Sequence, residues 1–78
     1  MVRAYVLLKA EVGEAATLAE TSRSIDAVET AHVIAGDWDV IVEIEAPEVY
    51  DVLSTTATEM QDLSNVLDTK TYVSIDEE

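Results

Sequence analysis

The sequence predicts an α+β fold: a four-stranded antiparallel sheet with two helices on one face, the elements running β-α-β-β-α-β. Three observations carry this. Residues 2–11 and 40–45 alternate side chains with a period of two, as half-buried strands do. Stretches beginning at Glu14 and Pro47 switch to a helical period. A chain of 78 residues has room for one domain only, 1–78, so every segment must share one core.

The first strand sets Val2, Ala4, Val6, Leu8 and Ala10 on one face and Arg3, Tyr5, Leu7, Lys9 and Glu11 on the other, until Gly13 breaks it. In the first helix Ala15, Leu18, Ala19 and Ser22 share a stripe, extended by Ile25. Glu14 lies in its first turn, where a negative charge meets the positive end of the helix dipole. This helix is expected to end near Asp26, with Val28 opening a hairpin. The hairpin is the centre of the chain. Residues 30–35 are rich in β-branched side chains, and the next strand sets Val40, Val42 and Ile44 against Ile41, Glu43 and Glu45. Between them Gly36-Asp37 signals a tight turn, since Gly accepts positive φ and Asp bonds its own backbone.

Pro47 is expected to start the second helix, where its missing N–H costs nothing. Glu48 follows in the first turn, and Val49, Val52, Leu53, Thr56, Ala57 and Met60 fit an apolar helical stripe ending at 62–65. The last strand, 66–75, sets Leu67, Thr69, Thr71, Val73 and Ile75 on one side, with a frayed acidic end at Asp76, Glu77 and Glu78. Two right-handed split β-α-β units in this order give the ferredoxin-like arrangement, with strand order 4-1-3-2. The helices then cover Val6, Leu8, Val40, Val42 and Ile44. Tyr5, Leu7 and Ile41 are left on an open face, which predicts a face-to-face homodimer, a dimeric α+β barrel. The alternative is a solvated face with scattered apolar residues.

Charge excludes several functions. The chain has 17 acidic and 4 basic residues, a net of −13, with the acids spread from Glu11 to Glu78. A surface that repels itself this strongly suits concentrated salt, as in the cytoplasm of a halophilic, haloarchaeal organism. The basic residues Arg3, Lys9, Arg23 and Lys70 form no patch for phosphates, so no direct nucleic-acid contact is expected. No stretch suits a membrane span or secretion signal, which places the protein in the cytoplasm. With no cysteine there are no disulfides or thiolate metal sites. A domain this small buries only about 60% of its unfolded surface, so oligomerisation is a natural source of further burial.

The pattern V-x-x-A-x-x-I-A-G-D-W-D-V-I-V-E-I, from Val28, and V-L-D-T-K-T-Y-V-S-I, from Val66, resembles the effector-binding (RAM) domain of the Lrp/AsnC transcriptional regulators. The resemblance spans essentially the whole chain. It is sharpest at Gly36, Asp37, Trp38 and Asp39, where the family shows Gly-Asp-aromatic-Asp. It implies a dimer through the sheets, often a ring of dimers, with an amino acid effector bound between dimers near 36–39. Two departures stand out. Met1 leads straight into the first strand with no helix-turn-helix before it, as in stand-alone members. Ala35 occupies a position where the family often has Thr or Ser, which removes a hydroxyl.

On this reading Gly36 leaves a ligand room to reach backbone, and Asp37 and Asp39 accept its ammonium group. The competing role is turn stabilisation for Asp37 and, for Asp39, capping of backbone amides at the hairpin. Trp38 can stack on a ligand or anchor an interface. Thr69 and Thr71 can hold a ligand carboxylate, although Thr in a strand needs no such reason. His32 stands without a partner nucleophile, and Asp37-x-Asp39 is a poor metal site. No catalytic residue, metal or cofactor is expected. The sequence therefore points to an amino-acid-sensing module for transcription or amino-acid metabolism, acting through a full-length regulator or transporter component. A ligand-free oligomerisation module and a small barrel enzyme are the alternatives.

Overall fold

The computed structural model describes residues 1–76, so Glu77 and Glu78 of the expected acidic end lie outside the described residues. The strands are β1 (Val2–Ala10), β2 (Val28–Val33), β3 (Val40–Ala46) and β4 (Val66–Val73), and the helices α1 (Ala15–Arg23) and α2 (Val49–Thr55). They form one antiparallel sheet in the order β2-β3-β1-β4, the ferredoxin-like topology. The two halves of the hairpin and the first strand behave as their alternation demands. Ala4, Val6, Leu8 and Ala10 of β1 face Val40, Val42, Ile44 and Ala46 of β3 in a buried layer under the helices. Leu18 and Ala19 of α1 and Val52 and Met60 pack onto that layer. The opposite face carries Tyr5 and Leu7 beside Glu43 and Ile41, half-buried.

Helix α1 buries Leu18, Ala19 and Ser22. The buried Ser22 hydroxyl donates to the Leu18 carbonyl at 2.8 Å, so the helix carries a polar group into the core without leaving it unbonded. Arg23 closes the helix by donating from Nε (3.1 Å) and Nη2 (2.8 Å) to the Ala31 carbonyl of edge strand β2.

Four expectations are corrected. The second helix begins at Val49, not Pro47, because Glu48 is extended (φ −142°, ψ 161°) and serves as its cap. Its last turn, Thr56–Met60, is a π turn closed by the Gln61 N–H on the Thr56 carbonyl at 3.0 Å. The wider turn carries Met60 round onto the face of Val52, Thr55 and Thr56, all buried. Of the stripe expected from a uniform α-helical period, Val52, Thr56 and Met60 are buried, whereas Val49, Leu53 and Ala57 are exposed. In β4 a register shift against β1 between Lys9 and Ala10 leaves Leu67 as an extra residue. Val66 therefore takes the core-facing place assigned to Leu67, which is 58% exposed. The strand also stops at Val73, and Asp76 is tied by the Ser74 hydroxyl at 2.9 Å.

The π turn makes the helix phase measurable. Met60→Ala should cost about 2–5 kcal/mol in urea unfolding, as a buried large-to-small change does. Leu53→Ala should stay within about 0.5 kcal/mol. The reverse ranking would restore the uniform helical stripe.

Candidate functional site

The hairpin between β2 and β3 turns through a longer loop than Gly36-Asp37 alone implied. The Ile34 N–H donates to the Asp39 carbonyl at 2.9 Å, leaving 35–38 as the loop proper. Gly36 has φ +157°, a region disfavoured for other residues, although no heavy atom lies within 4 Å of where a Cβ would sit. Backbone conformation, not space, asks for glycine there.

This loop is fastened to the end of β1. The Asp39 N–H donates to the Leu8 carbonyl at 3.0 Å, and Asp39 Oδ2 accepts the Ala10 N–H at 2.9 Å. Lys9 Nζ donates to the Asp37 carbonyl and sits 5.5 Å from the centre of the Trp38 ring. The two aspartates thus divide their labour. The Asp39 carboxylate caps one backbone amide, that of Ala10 on the neighbouring strand, rather than amides of the hairpin itself. The exposed Asp37 carboxylate makes no hydrogen bond or ion pair among the described residues. Trp38 is half-buried under Lys9, and Ala35 and Gly36 are exposed.

Thr69 lies opposite Leu8 and Thr71 opposite Val6, so both share β1's helix-side face. Thr69 is at the loop's end of the sheet, where its Oγ1 accepts from Gln61 Nε2 at 3.0 Å. It helps line a shallow hollow of about 280 Å³ with Gln61, Val66, Leu67 and Asp68. Thr71 is a pair further away. The chain therefore brings the 36–39 loop and Thr69 to one end without joining them in a single cavity. Sequence reasoning missed Lys9 and the Ala10 amide. Extending the β1–β3 register by one step past Leu8 and Val40 sets Lys9 opposite Asp39, which would have found them.

On the open face, Arg3 bonds Glu43 through Nε (3.0 Å) and Glu45 through Nη2 (2.5 Å). The bond to Glu45 raises the Arg3 pKa further, desolvation opposes this, and the Glu43 charge adds to it. His32 is exposed there beside Ile41. Among the described residues no group of His, Asp and Glu is placed to hold a metal ion, and no helix is long and apolar enough to cross a membrane.

A family model described as the Lrp/AsnC ligand binding domain matches residues 3–78. The chain belongs to that family. Its backbone superposes on hypothetical protein PHS023 from Pyrococcus horikoshii with a TM-score of 0.90, at 25% identity, covering 99% of this chain and 93% of that one. It matches E. coli AsnC with a TM-score of 0.88 at 12% identity, covering 97% of this chain and 52% of AsnC. It also matches transcriptional regulator NMB0573 from Neisseria meningitidis, solved as a complex with L-Met. There the TM-score is 0.85 at 13% identity, over 97% of this chain and 51% of the regulator. The chain thus spans about half the length of those two regulators. No curated protein sequence matches it. For this Lrp/AsnC domain the Gly-Asp-Trp-Asp stretch falls on the loop clamped to β1.

The division between the aspartates predicts different costs. Asp39→Ala, which strands the Ala10 N–H, should destabilise by about 1–3 kcal/mol, and Asp37→Ala by less than about 0.5 kcal/mol. Chemical denaturation of both variants checks this; equal losses would return Asp37 to turn chemistry.

Proposed function

We propose that this chain is an amino-acid-sensing module that self-associates through its open sheet face and passes its ligand state to a protein partner. The observation that carries this reading is the clamped loop: rigid backbone, a glycine, and an exposed Asp37 carboxylate without a partner among the described residues. An ammonium group needs such an acceptor, and a preformed one costs little ordering on binding. The L-Met complex of the Neisseria regulator, which shares the fold, supports amino acids as the ligand class. Neither the hollow beside Thr69 nor a groove at the far end of the sheet is lined by the loop. A neighbouring copy would therefore complete the pocket, and ligand binding would favour one assembly over another.

Charge supports the open face as the contact surface. Three of the four basic residues, Arg3, Lys9 and Lys70, fall there by register, and Glu43, Glu45 and Asp68 balance them. Around the centre formed by Tyr5, Leu7, Ile41 and Tyr72 these three cations offset most of the carboxylates, with Asp39 opposite Lys9 as a fourth acid, although the chain as a whole carries −13. In this reading residues 1–78 form one cytoplasmic ligand-binding domain, and any DNA contact belongs to the partner.

The first test is thermal unfolding against each amino acid at about 10 mM. A ligand with a dissociation constant of about 0.1 mM should add about 2.7 kcal/mol to the folded state. Asp37→Ala should abolish the shift. A flat panel would leave a ligand-free oligomerisation module. The second is sedimentation: Leu7→Asp, a charge at the centre of the open face, should yield monomers where the parent chain associates. An unchanged assembly would place the contact elsewhere.

A further inference from the structure

The outer side of α2 is unexpectedly apolar. Val49 is 46% exposed, Tyr50 74% and Leu53 51%, and exposed Ala57 continues the row at i, i+4 and i+8 from Val49. The stripe runs into a groove of about 430 Å³ at the far end of the sheet from the 36–39 loop. Val49 shares that groove with Val2, Val73, Ile75 and Met1. Met1 and Ile75 are themselves almost fully exposed. Helices seldom leave a stripe this large uncovered without a use for it.

The charges around the stripe say what covers it. Glu45 and Asp76 line the groove, Glu48 caps the helix, and Asp51 stands in its first turn. Among the described residues the one basic side chain lining the groove, Arg3, is already held by Glu43 and Glu45. Lys9 and Lys70 lie on the open face of the sheet, and Arg23 is engaged at the end of α1. A second copy docking here by the same surface would set Glu48, Asp51 and Asp76 against their like, which is unfavourable. A partner with apolar anchors bordered by Lys and Arg would satisfy both features.

We infer that the outer side of α2, with its groove, docks a basic amphipathic helix of another protein. The apolar face of that helix seats on Val49, Tyr50 and Leu53, and its flanking Lys and Arg meet Glu48, Asp51 and Asp76. This deepens the partner-mediated reading above but uses none of the ligand loop, so the two stand or fall separately.

A synthetic helical peptide with Leu at i, i+3, i+4 and i+7 and Lys at flanking positions is the probe, followed by fluorescence anisotropy. Controls are a scrambled peptide of equal charge and the same apolar pattern flanked by Glu. The amphipathic basic peptide should bind best. Tyr50→Ser and Leu53→Glu, both at exposed positions, should weaken it at least about tenfold while circular dichroism and the amino-acid thermal shift stay unchanged. Equal binding of the scrambled peptide would reduce the effect to net charge and overturn the site, as would no binding to the parent chain. Loss of self-association in either variant would assign the stripe to a second copy and overturn it as well.

Discussion

The pairing of β1 with β3 in the middle of the sheet is the constraint on which the rest depends. Val6 against Val42 and Leu8 against Val40 make a fully buried apolar pair of strands. In so small a chain there is one such layer, and both helices must lie on it. Because the side-chain period is two, the same register that buries these residues turns Arg3, Tyr5, Leu7 and Lys9 to the opposite face. It also sets the end of β1 beside the loop, so that the Leu8 carbonyl and Ala10 N–H become partners for Asp39. Core, open face and loop thus follow from one alignment of two strands.

Where a residue's role depends on local periodicity, the sequence was easy to read. Val40, Val42 and Ile44 alternate so cleanly with Ile41, Glu43 and Glu45 that only one face could be buried, and Leu18, Ala19 and Ser22 mark α1 in the same way. Where the backbone departs from a regular period, the reading slipped. The π turn takes one more residue per turn after Thr55 and so rotates each residue less, and nothing in Thr56-Ala57-Thr58-Glu59-Met60 marks it by composition. The bulge at Leu67 swaps one β-strand face for the other, and Leu67 itself is as apolar as the Val66 that replaced it in the core. For the site, Gly36 and the two aspartates were visible as turn chemistry. The division of labour between Asp37 and Asp39 was not, since it rests on which amide comes near, a tertiary fact. The family resemblance supplied what spacing alone could not.

The two apolar surfaces differ in kind. On the open sheet face Arg3, Lys9 and Lys70 offset most of the carboxylates, so copies of this face meet at a lower electrostatic cost than other surfaces of the chain. Along α2 the apolar stripe has carboxylates for neighbours, and the basic side chain nearest it, Arg3, is already engaged. Similar side chains therefore sit in different electrostatic settings on the two surfaces, which is the basis of the two different partners proposed for them. The loop clamped by Lys9 lies at the end of the sheet opposite the α2 groove, so the proposed ligand and docking sites are spatially apart.

The uneven placement of charge has a kinetic consequence. Two copies that each carry −13 repel one another, and the repulsion is weakest along the open sheet face, where cations offset most of the carboxylates. The acidity then acts as an orientation filter on collisions, selecting geometry before any side chain touches. Its reach is that of the ionic atmosphere, about 10 Å near 0.1 M salt and about 3 Å near 1 M. In dilute solution the filter is long-ranged and encounters are few. In concentrated salt it shrinks to contact distance, encounters become frequent, and specificity passes to the packing of Tyr5, Leu7 and Ile41 themselves.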